Sequence, residues 1–106
     1  MSAIRVIGLQ GELDLARRDE VRFALQVEGA ESGILLDLSE ATYADSTILS
    51  ALIGFVKQAN ALGVPVAMLI GTPQLERIIQ YAGLSGAMPI FMDRSLALTR
   101  LSEGWR

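Results

Sequence analysis

The stretch from residue 34 to residue 52, ILLDLSEATYADSTILSAL, contains the features that decide the fold. Its first five residues form a nearly continuous apolar run, which is typical of a central strand covered on both faces. A connecting loop is predicted over residues 39–45 and a long helix over residues 46–62, ended by Gly63 and Pro65. A buried strand that leads through a loop into a long helix is the repeating unit of an α/β fold.

The same alternation continues on both sides of this stretch. Strands are predicted over residues 4–9, 34–38, 66–70 and 89–92, and helices over residues 17–27, 46–62, 72–82 and 94–102. Residues 11–14 are predicted as a turn, and residues 29–33 as a break before the second strand. This order implies one α/β domain over residues 1–106, with about four mostly parallel strands and about four helices packed on the sheet.

The composition narrows the classes of function. Of the 106 residues, 51% are hydrophobic and 20% are charged, which is enough for a packed core. The net charge is −3 and no basic run occurs, so no direct contact with nucleic acid is expected. The chain has no histidine and no cysteine, which excludes Ser-His-Asp and Cys-His catalysis and the usual zinc sites. We therefore predict a protein that is not an enzyme and that uses no metal or cofactor.

The hydropathy pattern bears on localisation. The apolar stretches are shorter than the roughly 20 residues that a membrane-spanning helix needs. Residues 1–10 also lack the charged start, long apolar centre and small-residue cleavage site of a signal peptide. We expect a cytoplasmic protein without membrane insertion.

The triplet Asp45-Ser46-Thr47 stands at the predicted start of the long helix and has two interpretations. All three side chains can cap a helix, because their oxygens accept hydrogen bonds from free backbone N–H groups. Alternatively, Ser46 is an exposed hydroxyl whose phosphate would meet a helix N-terminus, which tolerates anions. The sequence alone leaves both interpretations open.

The helix that follows has two unlike faces when its residues are projected at about 100° per residue. The predicted core face holds Ile48, Leu49, Leu52, Ile53, Phe55, Val56, Ala59 and Leu62. The opposite face holds Ser50, Ala51, Gly54, Lys57, Gln58 and Ala61, and Ser46 falls at its margin. These side chains are mostly small, so a partner could approach the helix closely, although small residues are also simply good helix formers. The candidate partner-binding residues are Asp45, Ser46, Thr47, Ser50, Gly54 and Lys57.

Several short motifs, taken together and in order, resemble the STAS family, and in particular its anti-sigma factor antagonists. They are GELD (11–14), ILLDLS (34–39), YADST (43–47), TP (72–73) with IIQYAGL (78–84), and FMDRSLAL (91–98). The resemblance covers nearly the whole chain and implies a STAS domain over residues 1–106.

The resemblance also implies a function. It implies a partner-switching regulator that binds an anti-sigma factor serine kinase, is inactivated by phosphorylation and is reset by a serine phosphatase. Ser46 is then the phospho-acceptor and Thr47 the second candidate. The alternative within the same family is a non-phosphorylated STAS subunit of a membrane lipid ABC transporter complex. A small enzyme or nucleotide binder is a third hypothesis, weakened by the lack of a glycine-rich phosphate-binding motif.

Two departures from the family pattern bear on these expectations. Ile48 occupies the position where the family usually carries Gly, which would allow another chain to approach the turn. The family also commonly begins with a β-hairpin, of which only the second strand, residues 4–9, is visible here. A bare sheet edge can pair with another chain, so a homodimer is a further expectation.

Overall fold

The structure is a computed structural model that describes residues 4–29 and 31–103. In chain order its elements are β1 (Ile4–Gly8), β2 (Gly11–Leu13), a 3-10 helix (Leu15–Arg17), α1 (Arg18–Ala24), β3 (Gly33–Leu38), β4 (Ala41–Ala44), α2 (Ser46–Ala61), β5 (Val66–Ile70), α3 (Pro73–Tyr81), a 3-10 helix (Leu84–Gly86), β6 (Ile90–Phe91) and α4 (Arg94–Glu103).

The main sheet has four strands in the order β1-β3-β5-β6, and every neighbouring pair is parallel. Ile34 of β3 pairs with Val66 of β5, and Ile7 of β1 pairs with Leu36. The predicted class, one α/β domain with about four mostly parallel strands and about four helices, is therefore confirmed, with a second, two-stranded sheet in addition.

The sheet is covered on both faces, as the apolar run of β3 predicts. The larger core lies between the sheet and α1, α2 and α3, and it includes Ile34, Leu36 and Leu38. The opposite side chain, Leu35, belongs to a smaller core with Ala97 and Leu101 of α4. Alternate residues of β3 are therefore buried in two different cores, because successive side chains of a strand point to opposite faces of the sheet.

Two segments predicted as irregular are in fact strands. The predicted turn at 11–14 contains β2, and the predicted loop at 39–45 contains β4; the two pair in parallel as a separate small sheet. Strands of three and four residues are too short to show the alternation of apolar and polar residues that predicts a strand. In β4 the pattern is also irregular, because two exposed residues lie between buried Ala41 and Ala44. Burial of Leu13, Ala41 and Ala44 in the larger core stabilises the pair.

Two helix ends also differ from the prediction. Helix α1 ends at Ala24 rather than at residue 27. Just after this end, the guanidinium group of Arg5 donates hydrogen bonds to the carbonyl oxygens of Ala24 and Gln26. Leu62, predicted on the core face, follows the last residue of α2 and is 52% exposed. The chain turns away at Gly63, whose φ of 73° is left-handed and suits glycine.

Within the described residues, no helix combines the length and the hydropathy needed to cross a membrane.

Candidate functional site

The N-terminus of α2 is capped by Asp45. The backbone of Asp45 is extended, with φ −84° and ψ 177°, and its carboxylate oxygen Oδ1 accepts from the backbone N–H of Ile48 across 3.0 Å. This is the N-cap geometry in which a side chain satisfies an orphan donor of the first turn. Of the three candidates for capping, Asp45 therefore fills the role.

Ser46 is the first residue of α2 and is exposed. Its hydroxyl group makes no hydrogen bond within residues 4–29 and 31–103. Thr47 is partly buried, so Ser46 is the more accessible of the two hydroxyl-bearing residues. Because Asp45 already caps the helix, the Ser46 hydroxyl is available for chemistry at a helix N-terminus, where negative charge is stabilised.

The small sheet brings the early GELD motif beside the serine. Leu13 of β2 pairs with Ala44 of β4, and the backbone N–H of Asp45 donates to the carbonyl oxygen of Leu13 across 3.1 Å. Asp14 then caps the following 3-10 helix by accepting from the N–H of Ala16 across 3.1 Å. Motifs at residues 11–14 and 44–47, which the sequence shows only as separate, form one surface.

Two exposed apolar residues adjoin these motifs and are not among the predicted site residues. Leu15, the first residue of the 3-10 helix, is 58% exposed, and Tyr43 on β4 is 44% exposed. Tyr43 pairs with Glu12 across the small sheet. The sequence offered one indication that these residues belong near the site: Leu15 directly follows GELD, and Tyr43 lies three residues before Ser46. Both lie in segments predicted to be irregular.

Along α2, four of the six residues predicted to bind a partner share one exposed face, while Asp45 and Thr47 are partly buried. Ser46, Ser50, Gly54 and Lys57 are all exposed, and their spacing puts them on successive turns of one face. We call these four residues the α2 stripe. A Cβ atom built on Gly54 would have no described atom within 4 Å, so the stripe is open at its centre.

Ile48 does not contribute to the α2 stripe. Its side chain is 0% exposed and packs in the larger core with Leu52 and Phe55. The departure from the family's usual Gly therefore adds volume to the core and adds no bulk beside the Ser46 hydroxyl.

Asp37 fixes the start of the loop that leads to β4. Its Oδ1 accepts from the hydroxyl of Ser39 at 2.6 Å and from the Ser39 N–H at 3.0 Å, and its Oδ2 pairs with Arg94 of α4. Burial opposes ionisation of Asp37, but the Ser39 hydrogen bonds and the Arg94 charge outweigh it and lower the pKa of this carboxyl. A Cβ on Gly71 would overlap the Ser39 carbonyl oxygen, so the loop is also held from the β5 side.

Metal ligands and pockets are the other features that could form a site on the described surface. Among residues 4–29 and 31–103, no group of three or more His, Cys, Asp or Glu side chains could hold a metal ion. A depression of about 390 Å³ is lined by Arg77, Gln80 and Tyr81, all of which are exposed. Such a depression lacks the enclosed, convergent polar groups of a small-molecule site.

Comparison with known proteins matches these features to one family. The STAS domain family model matches residues 2–97. The anti-sigma F factor antagonist of Paenibacillus polymyxa is 32% identical over 102 residues, which cover 92% of this chain and 86% of that protein.

Two solved proteins share the fold. An anti-sigma factor antagonist from Mycobacterium paratuberculosis has a TM-score of 0.84 at 21% identity, over 93% of this chain and 86% of that one. The anti-sigma factor antagonist SpoIIAA has a TM-score of 0.76 at 22% identity in its unphosphorylated form, over 100% and 94% of the two chains. The phosphorylated form of SpoIIAA, from Bacillus, gives 0.66 at 23% identity, over 91% and 88%.

Proposed function

This chain belongs to the STAS domain family, and from that premise we propose that it is an anti-sigma factor antagonist regulated by phosphorylation of Ser46. In this role it binds an anti-sigma factor that is also a serine kinase, and the unphosphorylated form occupies that partner. A serine phosphatase restores the binding form. The role requires no catalysis by this chain.

One observation carries the proposal: the helix cap and the free hydroxyl belong to different residues. Asp45 satisfies the N–H of Ile48, while Ser46 is exposed and has no hydrogen-bond partner among the described residues. In a serine that capped the helix, phosphorylation would esterify the capping oxygen itself, and the cap would have to re-form around the phosphate oxygens. Here the modification leaves the cap intact, so the charge of the surface can change while the fold persists.

The physical effect of the phosphate follows from its neighbours. Phosphoserine adds about −1.5 to −2 charge at pH 7, directly after the carboxylate of Asp45 that caps α2. The helix N-terminus stabilises this charge, but a partner fitted to a small neutral hydroxyl meets new bulk and charge. We expect the partner to be lost without unfolding of the chain.

The candidate contact surface extends from the serine along α2. It comprises Asp45, Thr47 and the α2 stripe, and we include the exposed apolar residues Leu15, next to Asp14 in the chain, and Tyr43, two residues before Asp45. A small-residue stripe permits close approach, and an exposed tyrosine is among the side chains that anchor interfaces.

The test is phosphorylation by the kinase encoded nearest this chain's gene. The purified chain is incubated with that kinase and ATP, and the modified residue is located by mass spectrometry. We expect one phosphate, on Ser46, absent from Ser46→Ala and retained in the matched variants Ser50→Ala and Thr47→Ala. Phosphate on another residue would overturn the site, whereas no phosphate together with binding to a transporter ATPase would favour the transporter-subunit alternative.

A further inference from the structure

Strand β1 forms an edge of the main sheet, and one side of its backbone has no strand partner among residues 4–29 and 31–103. Within the described residues its only strand neighbour is β3. The opposite edge strand, β6, has only two residues, Ile90 and Phe91, whereas β1 has five. Short edge strands protect a sheet from pairing with other chains, and β1 lacks that protection.

The outward groups of β1 can be assigned from one hydrogen bond. The N–H of Leu9 donates to the carbonyl oxygen of Asp37 across 3.0 Å, so residues 5, 7 and 9 direct their backbone groups toward β3. Because this direction alternates along a strand, Ile4, Val6 and Gly8 direct theirs outward.

The usual devices that block an edge are missing from this strand. Its sequence, IRVIG, has no proline or lysine. Its one charge, Arg5, turns inward to pair with Glu31 at 3.2 Å and to donate to the carbonyl oxygens of Ala24 and Gln26. Val6 pairs with Leu35, so it lies on the face covered by α4, yet it is 49% exposed. The edge therefore presents an apolar side chain and free backbone groups.

We propose that β1 pairs with β1 of a second copy of this chain, antiparallel and centred on Val6. A two-fold axis at Val6 sets Val6 against Val6 and Ile4 against Gly8. All three outward residues of each strand then face outward residues of the other, which gives about six backbone hydrogen bonds. Two small four-stranded sheets become one continuous eight-stranded sheet.

The side chains of β1 also suit pairing with themselves. A Cβ on Gly8 would have no described atom within 4 Å, so the space beside Gly8 can accept Ile4 of the second copy. Aromatic side chains are known to stabilise edge glycines by packing over them, and Ile4, which is only partly buried against the smaller core, offers a branched aliphatic side chain for the same space. Arg5 faces Ile7 and not the second Arg5, so no like charges oppose each other.

The size of the contact predicts a weak dimer. A five-residue strand is about 17 Å long, and pairing over that length buries less than the roughly 1,200 Å² of a stable standard interface. Association should therefore appear with rising concentration, between about 10 μM and about 1 mM.

Cysteine cross-linking tests the geometry directly, since the chain has no cysteine of its own. In a hydrogen-bonded antiparallel pair the two Cα atoms lie about 5.5 Å apart, within the range that a disulfide spans. We expect Val6→Cys to form a disulfide dimer on mild oxidation at high concentration. The matched control, Leu96→Cys, places a thiol on α4 at a position that is 59% exposed, against 49% for Val6, and should remain monomeric.

Sedimentation velocity on the unmodified chain provides an independent measurement. We expect a monomer–dimer equilibrium in the unmodified chain and a monomer for Val6→Pro. The proline removes an outward N–H, so it leaves the bonds to β3 in place. A monomer at every concentration, or equal cross-linking of Val6→Cys and Leu96→Cys, would overturn the proposal. Neither result bears on phosphorylation of Ser46.

Discussion

The backbone N–H of Asp45 donates to the carbonyl oxygen of Leu13, and the same Asp45 caps α2 through its carboxylate. One residue thus ties the start of the helix to β2 with its main chain and to Ile48 with its side chain. The neighbouring Ser46 takes part in neither contact. The residue that anchors the start of α2 is therefore distinct from Ser46, the proposed phosphorylation site.

Removal of the cap should destabilise the protein, and removal of the serine hydroxyl should not. Asp45→Ala leaves the N–H of Ile48 without its partner, so we expect the free energy of unfolding to fall by about 1 kcal/mol. Asp45→Asn retains an accepting oxygen and should lose less. Ser46→Ala serves as the matched control and should stay within about 0.5 kcal/mol of the parent. Urea denaturation followed by circular dichroism measures all three, and an equal loss in Ser46→Ala would show that the serine shares the cap.

A negative charge at position 46 should leave the fold intact. In Ser46→Asp the new carboxylate lies in the first turn of α2, where the helix dipole favours it by about 0.3–1 kcal/mol. We expect an unchanged circular dichroism spectrum and a melting temperature equal to or slightly above that of the parent. Binding to the anti-sigma partner should nevertheless weaken at least about tenfold, or about 1.4 kcal/mol, by calorimetric titration.

The control for this substitution is Ser50→Asp, one turn further along the α2 stripe. It adds the same charge beyond the first turn, so it tests whether any negative charge on this face weakens binding. A melted domain in Ser46→Asp would contradict the proposed mechanism, because the loss of binding would then reflect loss of structure.

The sequence predicted the parallel sheet and the core because long apolar runs carry a strong signal. Ile34–Leu38 and Val66–Ile70 are nearly continuous apolar runs and are buried as central strands. The strands β2 and β4 were not predicted from the sequence. Each has only three or four residues, and their inward-facing side chains are one leucine in β2 and alanines in β4, so no two-residue hydrophobic periodicity can be detected.

At the site, residue type alone could not assign the roles within Asp45-Ser46-Thr47. All three are good caps, and the choice depends on which residue has the extended backbone before the first helical turn. The structure gives that conformation to Asp45. The sequence also could not predict that the GELD motif lies near Ser46. That proximity depends on the pairing of β2 with β4 and on the hydrogen bond from Asp45 to Leu13, and neither strand was predicted.

Two glycines should respond in opposite ways to alanine. Gly54 lies within α2 with open space around it, so Gly54→Ala should raise the free energy of unfolding by up to about 1 kcal/mol. If a partner backbone rests on the α2 stripe, the added methyl group should at the same time weaken binding. A stabilised variant with unchanged affinity would remove Gly54 from the contact surface.

Gly71→Ala is the contrasting substitution. A Cβ there would overlap the carbonyl oxygen of Ser39, and a backbone atom cannot move aside as a flexible side chain would. We expect a loss of about 1–3 kcal/mol, typical of overpacking at a tight site. Urea denaturation of the two variants side by side provides the comparison, and a neutral Gly71→Ala would mean that the loop at Ser39 can shift.

Acid should destabilise the fold partly through Glu31. This side chain is 6% exposed, accepts from the N–H groups of Glu28 at 3.1 Å and Gly29 at 2.8 Å, and pairs with Arg5. Burial opposes its ionisation, but these bonds outweigh burial and lower the pKa of the Glu31 carboxyl below its ordinary value of 4.5. The unfolded chain therefore binds this proton at a higher pH than the folded chain does, and the stabilisation, complete above about pH 5, declines as the pH falls through the folded pKa.

Glu31→Gln tests this contribution, because glutamine keeps the shape of the side chain and removes its charge. We expect a loss of about 1–2 kcal/mol at pH 7 from the weakened charge-assisted hydrogen bonds. We also expect a shallower fall of stability between about pH 5 and pH 3. Glu28→Gln is the matched control: its side chain is exposed, and its N–H can still donate to residue 31. Urea midpoints at a series of pH values measure the effect, and parallel pH profiles for Glu31→Gln and the parent would show that Glu31 has no part in acid unfolding.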